Sequence, residues 1–155
     1  MNFFEYFNLQ ETVLIDQKVL KRKYYFLQKK YHPDFFLDKP KKIQRKILKK
    51  SKKINKIYKI FKNPLQTTQY FLSIKGYKIY DINFLKKEKK NFLITQFLLN
   101  EEISNIKIKK KIFIKKLNFL YFKYIKQMFA KIAFGKFKNS AFFLYKLFFF
   151  EKLLF

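Results

Sequence analysis

Apolar residues recur along the first half of the chain at the spacing of an α-helix. One stripe, with intervals of four, three and four residues, predicts a helix of about four turns. A second stripe repeats at similar intervals, and its small Ser51 would allow a partner helix to approach closely. Because a short connection separates the two, we predict an antiparallel helical hairpin. The stripes comprise Leu20, Tyr24, Leu27 and Tyr31, and Ile47, Ser51, Ile54, Tyr58 and Phe61.

The chain has only two glycines and three prolines, so each of them helps to place a helix end. A short first helix is predicted at about residues 2–7. Asp16 is suited to cap the second helix, because its side chain can accept a hydrogen bond from a free amide of the first turn. Pro33 disfavours helical geometry at the preceding residue and closes that helix. Pro40 then predicts the start of a third helix.

In the second half of the chain, proline and glycine again mark the predicted ends of helices. Asn63-Pro64 predicts the start of a fourth helix, and Gly76 is placed to end it in a left-handed conformation. Three more helical segments follow, with a break near Gly135, and predict a three-helix bundle. We therefore expect an all-α protein with a first domain at 1–76, a linker at 77–87 and a second domain at 88–155. Helices in the second domain are predicted at about 88–106, 108–133 and 138–154.

The formal net charge of +27 would ordinarily indicate a nucleic acid or an anionic membrane as partner. Composition weakens that inference. Lysine makes up 35 of the 37 basic residues, and Lys, Phe, Ile, Asn and Tyr, all with A/T-rich codons, make up 96 of 155 residues. The shortage of arginine also argues against base readout. We therefore expect no nucleic-acid partner and keep a basic nucleic-acid-binding protein as an alternative.

No segment is typical of secretion or of membrane insertion. The N-terminus lacks a basic lead and carries Glu5 early, so we expect the mature chain to begin here. The most apolar stretch, 141–155, is interrupted by Lys146, Glu151 and Lys152 and is shorter than the ~20 residues that span a bilayer. The absence of cysteine fits a reducing compartment. We expect a cytoplasmic protein without a membrane partner.

The residue types give little support for catalysis. The sequence has no glycine-rich phosphate loop and no cluster with metal-ligand spacing, and His32 is its single histidine. His32 and Asp34 could be two members of a catalytic triad, but no nucleophile completes the set in recognisable form. We therefore expect no enzyme, no metal and no cofactor.

The tripeptide His32-Pro33-Asp34 lies at the predicted tip of the helical hairpin. A plain turn would also account for proline and aspartate. The tripeptide nevertheless follows a basic helix, and this arrangement resembles the J-domain of co-chaperones. Four later segments extend the resemblance to the HscB family, the J-domain co-chaperones of iron–sulfur cluster assembly. These segments are NPL at 63–65, YFLSIKGY at 70–77, FLITQFLLNEEI at 92–103 and YKLFFFEKL at 145–153.

The resemblance implies an L-shaped all-α protein, with a J-domain followed by a three-helix scaffold-binding domain. It implies that the loop and the basic second helix dock on a DnaK-type chaperone, HscA, and stimulate its ATPase. Asp34 would accept a charge-assisted hydrogen bond from an arginine of the chaperone, and the basic residues would steer the encounter. The implied chaperone-binding residues are His32, Pro33, Asp34, Lys21, Arg22, Lys29 and Lys30.

The resemblance also implies that the second domain holds the cluster scaffold protein IscU and delivers it to the chaperone. Helical spacing places four of the five candidate residues on one face, although apolar residues on such a face could equally be core. Phe35 departs from many J-domains, which carry a basic residue there. A generic J-domain protein with another client is the nearest alternative. The implied scaffold-binding residues are Leu93, Ile94, Phe97, Glu101 and Phe149.

Overall fold

A computed structural model describes residues 2–79, 82–105 and 110–154 of the chain. These residues form seven α-helices and one short 3₁₀ turn and contain no strand, so the predicted all-α class is confirmed. The 3₁₀ turn, Pro33–Phe36, lies between the second and third helices. The helices are α1 (Phe3–Tyr6), α2 (Gln17–Tyr31), α3 (Lys41–Lys62), α4 (Pro64–Ile74), α5 (Ile82–Asn105), α6 (Lys110–Ala133) and α7 (Phe137–Leu154).

Side-chain caps define the starts of several helices. Asp16 caps α2 as predicted, since its carboxylate accepts hydrogen bonds from the backbone amides two and three residues later, at 2.7 and 3.3 Å. Asn63 does the same for α4, at 2.9 and 3.1 Å. Asn2 and Glu5 form a reciprocal capping box around α1. Each of these short polar side chains satisfies amides that the helix itself leaves without a partner.

Gly76 ends α4 in the left-handed conformation that the sequence predicts, with φ of 88°. The backbone amide of Tyr77 then donates to the carbonyl oxygen of Leu72 at 2.9 Å, which satisfies one of the last carbonyls of the helix. A residue with a β-carbon would be strained at such a φ, although no atom lies within 4 Å of the place a β-carbon would take. Backbone geometry alone therefore favours glycine at this position.

Contacts divide the chain into two compact units, Met1–Phe71 and Leu72–Phe155. In the first unit α2 and α3 form the predicted hairpin, and the rings of Tyr24 and Tyr58 stack across it with centroids 4.0 Å apart. Phe4 is fully buried and stacks on Phe61, with ring centroids 4.7 Å apart. Aromatic packing therefore fixes α1 against the hairpin, and offset rings of this kind add to the free energy gained from burial.

The second unit has a core built from α5, α6 and α7. Its central cluster comprises Phe92, Leu99, Phe113, Leu117 and Phe150. Burial raises the pKa of the Tyr124 hydroxyl, whose ring lies at the edge of this cluster. The ammonium group of Lys146 lies 5.1 Å from the Tyr124 ring centroid and 4.2 Å from that of Phe142. The lysine that interrupts the most apolar stretch of the sequence is thus held by aromatic faces.

One predicted boundary differs from the structure. Helix α5 begins at Ile82, inside the linker predicted at 77–87, rather than near residue 88. The reason is local: residues 82–90 contain no glycine or proline and include leucine, lysine and glutamate, which favour helix. The division into domains at 1–76 and 88–155 stays a prediction. The start predicted for the next helix, at 108, falls outside the described residues. No helix among the described residues is long and apolar enough to cross a membrane.

Candidate functional site

The His32-Pro33-Asp34 segment forms the tip between α2 and α3. His32 leaves the helix with an extended backbone, at φ −70° and ψ 129°, as the following proline requires. Pro33 then opens the 3₁₀ turn, in which the amide of Phe35 donates to the carbonyl of His32 at 3.2 Å. The side chain of Asp34 is 74% exposed. The local sequence therefore presents a carboxylate to solvent on a short, hydrogen-bonded turn.

Within this turn, His32 is close to both Asp34 and Phe35. Its Nδ1 atom lies 3.6 Å from a carboxylate oxygen of Asp34, and its ring centroid lies 5.7 Å from that of Phe35. The distance to Asp34 exceeds that of a good hydrogen bond, so the carboxylate keeps its acceptor capacity for another donor. Such an acceptor is well suited to a guanidinium group on a partner.

Gln44, which sequence reasoning missed, holds the chain that follows the turn. Its side-chain amide donates to the carbonyl oxygens of Leu37 and Lys39, at 2.9 and 2.8 Å. Nearby, the hydrogen bond and ion pair with Lys39 lower the pKa of the Asp38 carboxyl. We call the pair of hydrogen bonds from Gln44 the Gln44 clamp. Its only signal in the sequence was a glutamine one turn into α3, just after a loop bounded by prolines. The clamp ties the loop to the rigid helix α3.

The predicted basic residues of α2 are all exposed. Lys21 and Arg22 lie in the second turn of the helix, and Lys29 and Lys30 lie in its last turn. Cations in the last turn also interact favourably with the negative end of the helix dipole. All four side chains therefore lie on the helix that leads into the loop, and all four are accessible to solvent.

Two aromatic residues lie between these cations, and sequence reasoning missed them as well. Tyr25 and Phe26 are both largely exposed, and the Lys21 ammonium group lies 5.9 Å from the Tyr25 ring centroid. Phe26 and Arg22 help to line a groove of about 350 Å³ between α1 and α2. Their spacing of four residues from Lys21 and Arg22 was the available signal. The face of α2 is thus both basic and aromatic.

Helix α5 carries the predicted apolar patch on its solvent side. Leu93, Ile94 and Phe97 are 51%, 56% and 69% exposed, whereas Phe92 and Leu99 point into the core. Exposure excludes the interpretation of the first three as core residues of this unit. Glu101 is exposed one turn beyond Phe97.

Two further observations refine this patch. Phe149 is partly buried, because its ring packs edge-on against Phe92, with centroids 5.7 Å apart, and against Phe150. Leu98, which was not among the predicted residues, is 57% exposed beside Phe97. The apolar surface therefore extends along α5. Phe149 packs against core residues and exposes only part of its ring beside this surface.

Similarity to known proteins is consistent across sequence and structure. No protein-family model matches the chain. The co-chaperone protein HscB of Buchnera aphidicola is 41% identical over 107 residues, which cover 69% of this chain and 61% of that protein. The HscB homolog of Colwellia psychrerythraea is 34% identical over 101 residues, 65% of this chain and 54% of that protein. The match thus spans less than two thirds of the length of these curated relatives.

The solved structure of the chaperone HscB from Vibrio cholerae superposes with a TM-score of 0.89 at 26% identity, covering 98% of this chain and 93% of that one. In sequence and in fold, this chain is similar to the HscB co-chaperones. Human HscB has the same fold, with a TM-score of 0.84 at 21% identity over 99% of this chain and 78% of the human chain. The HscB relatives are named co-chaperones rather than enzymes. Among the described residues, no group of three or more potential ligands could hold a metal ion.

Proposed function

We propose that this HscB-like chain docks on a DnaK-type chaperone, HscA, stimulates its ATPase, and delivers an IscU-type scaffold protein to it. The observation that carries the proposal is the His32-Pro33-Asp34 turn, an exposed carboxylate held on a turn between two packed helices. A carboxylate presented in this way can bind an arginine through a charge-assisted hydrogen bond without prior ordering of the loop.

The face of α2 supports the same partner. Lys21, Arg22, Lys29 and Lys30 would meet an acidic surface and accelerate the encounter, whereas the exposed rings of Tyr25 and Phe26 would supply apolar contact. In this arrangement the basic residues act mainly on the association rate. Asp34 contributes a specific contact that correct docking requires.

The patch on α5 is the proposed surface for the scaffold. Leu93, Ile94 and Phe97 would bury apolar area on a complementary surface, and Glu101 would set the register by pairing with a cation at the rim. Phe149 would add the exposed part of its ring. Two surfaces on two compact units give an adaptor, and no step of this function requires a catalytic group in the chain itself.

The decisive experiment is the substitution Asp34→Asn. This change preserves the shape of the side chain and removes its charge, so we expect loss of ATPase stimulation in a single-turnover assay with the matching HscA-type chaperone. Binding of the matching scaffold, measured by calorimetry, should not change, because that surface lies in the other unit. Stimulation retained at the wild-type level would rule out the docking role of the loop.

A further inference from the structure

Helix α6 carries a line of apolar side chains on the side that faces away from the core. Ile112, Phe119 and Phe122 are 67%, 69% and 60% exposed. They recur at intervals of seven and three residues, so they share one face over a length of about 15 Å. The buried residues of the same helix point the other way and comprise Phe113, Leu117 and Met128.

The same face of α6 is strongly basic. The whole helix contains seven lysines and no acidic residue over its 24 positions. Lys115, Lys123 and Lys126 are exposed between and beside the apolar residues, and none of the three forms an ion pair within the described part of the chain. Lys116, at the edge of the face, pairs with Glu102 at 3.2 Å.

This arrangement differs from that of α5, so the lysine-rich composition does not account for it. The exposed apolar residues of α5 have Glu101 and Glu102 beside them. On α6, the charged residues that the helix places beside its exposed apolar side chains are all lysines. Aromatic rings flanked by cations on one outward face combine the two attractions that hold a protein on a bilayer surface, namely burial of apolar area and attraction to anionic lipids.

We propose that the Ile112–Lys126 face of α6 binds the surface of an anionic membrane. The rings of Phe119 and Phe122 would enter the boundary between headgroups and acyl chains, and Lys115, Lys123 and Lys126 would reach the lipid phosphates. The sequence-based expectation of no membrane partner rested on the absence of a spanning segment. A surface contact needs no such segment.

Other occupants fit this face less well. A second copy of the chain would place two lysine-rich, acid-free helices against each other, which like-charge repulsion opposes. A single-stranded nucleic acid would find aromatic rings, but on a convex helix without arginine rather than in a basic groove. An anionic lipid surface satisfies both the charge and the exposed apolar area.

The absence of tryptophan from the chain allows a specific test. Phe119→Trp places a single tryptophan on the face, and Leu98→Trp places a matched one on α5, so that excitation selective for tryptophan reports on that position. Vesicles of phosphatidylcholine mixed with phosphatidylglycerol should shift the emission of the first variant to the blue at physiological salt and leave the second unchanged. Brominated lipids should quench only the first. An unshifted Phe119→Trp emission would overturn the proposal, whatever else the face binds.

Paired substitutions separate this site from the general positive charge of the chain. Phe119→Ser with Phe122→Ser should lower vesicle affinity by at least about tenfold in a sedimentation assay, because the rings no longer insert. Lys115→Glu with Lys126→Glu should also abolish binding. Lys42→Glu with Lys49→Glu, on α3, changes the net charge equally and should have little effect. Equal losses from the two charge pairs would contradict a site on α6.

Discussion

The two surfaces proposed to bind partner proteins differ in their chemistry. The surface on the first unit is mainly charged, with an exposed carboxylate at Asp34 and cations along α2, although the rings of Tyr25 and Phe26 are exposed among those cations. The surface on α5 is largely apolar, with acidic neighbours at Glu101 and Glu102. Charged surfaces accelerate association and lose strength with salt, whereas apolar burial mainly slows dissociation. With the proposed function, an adaptor of this kind would meet a chaperone quickly and transiently and hold a client more tightly.

The largest effect should come from truncating the apolar surface. Leu93→Ala with Phe97→Ala is expected to weaken scaffold binding by about 3 kcal/mol, or more than about a hundredfold in Kd, because both side chains would be buried in the complex. Calorimetry with the matching scaffold measures the change. Stimulation of the chaperone by the protein alone should persist.

A matched control for that experiment lies on α6. Ile112→Ala with Phe119→Ala removes exposed apolar groups of similar size from another helix of the same unit. Scaffold affinity should remain at the wild-type value in this control. Unchanged affinity in the α5 variant would count against the proposed patch.

Salt should separate the two surfaces next. Raising the ionic strength from about 0.1 to 1 M shortens the screening length from about 10 to 3 Å, so the association rate with the chaperone should fall by roughly tenfold. Scaffold affinity should hold or rise slightly, since apolar burial is not screened. Stopped-flow kinetics and calorimetry in the same buffers give both numbers. Equal salt sensitivity of the two complexes would abolish the distinction.

The clamp behind the loop should have a smaller effect. Gln44→Leu removes two hydrogen bonds to loop carbonyls and should loosen the loop by about 1 kcal/mol, since one such bond contributes about 0.5–1.5 kcal/mol and water can bind the freed carbonyls. Half-maximal stimulation would then need up to roughly tenfold more protein, while stimulation at saturation stays near wild type. Faster hydrogen exchange at 33–40 should accompany the change. Lys49→Leu, exposed on the same helix, serves as control, and unaltered exchange would exclude a clamp.

The smallest effect should come from a single cation. Lys29→Ala removes one exposed charge of α2, and an exposed pair contributes only about 0.2–1 kcal/mol. We expect less than about a fivefold change in chaperone affinity, mostly in the association rate and absent at high salt. A hundredfold loss of chaperone affinity would show instead that Lys29 makes a buried contact. Binding through α2 would then depend on single residues, as we expect for the apolar surface on α5.

Local signals in the sequence were sufficient for much of the fold. Asp16 and Gly76 each act within one helical turn, and the structure has both where the sequence placed them. The beginning of α5 was predicted about six residues too late, because a lysine-rich stretch such as 82–90 suits a helix as well as a linker. Gln44 was missed because its role depends on carbonyls that only the folded loop brings within reach.

The sequence by itself determined the helices, the hairpin tip at His32-Pro33-Asp34 and the family resemblance, since caps, prolines and periodic stripes act over a few residues. Tertiary structure alone decided which apolar residues are exposed. With 23 phenylalanines in 155 residues, the pattern cannot tell Phe113, which is buried, from Phe119, which faces solvent on the same helix. Burial depends on which side of a helix meets its neighbours, and a chain that is apolar on more than one side leaves that choice to the packing of the whole unit.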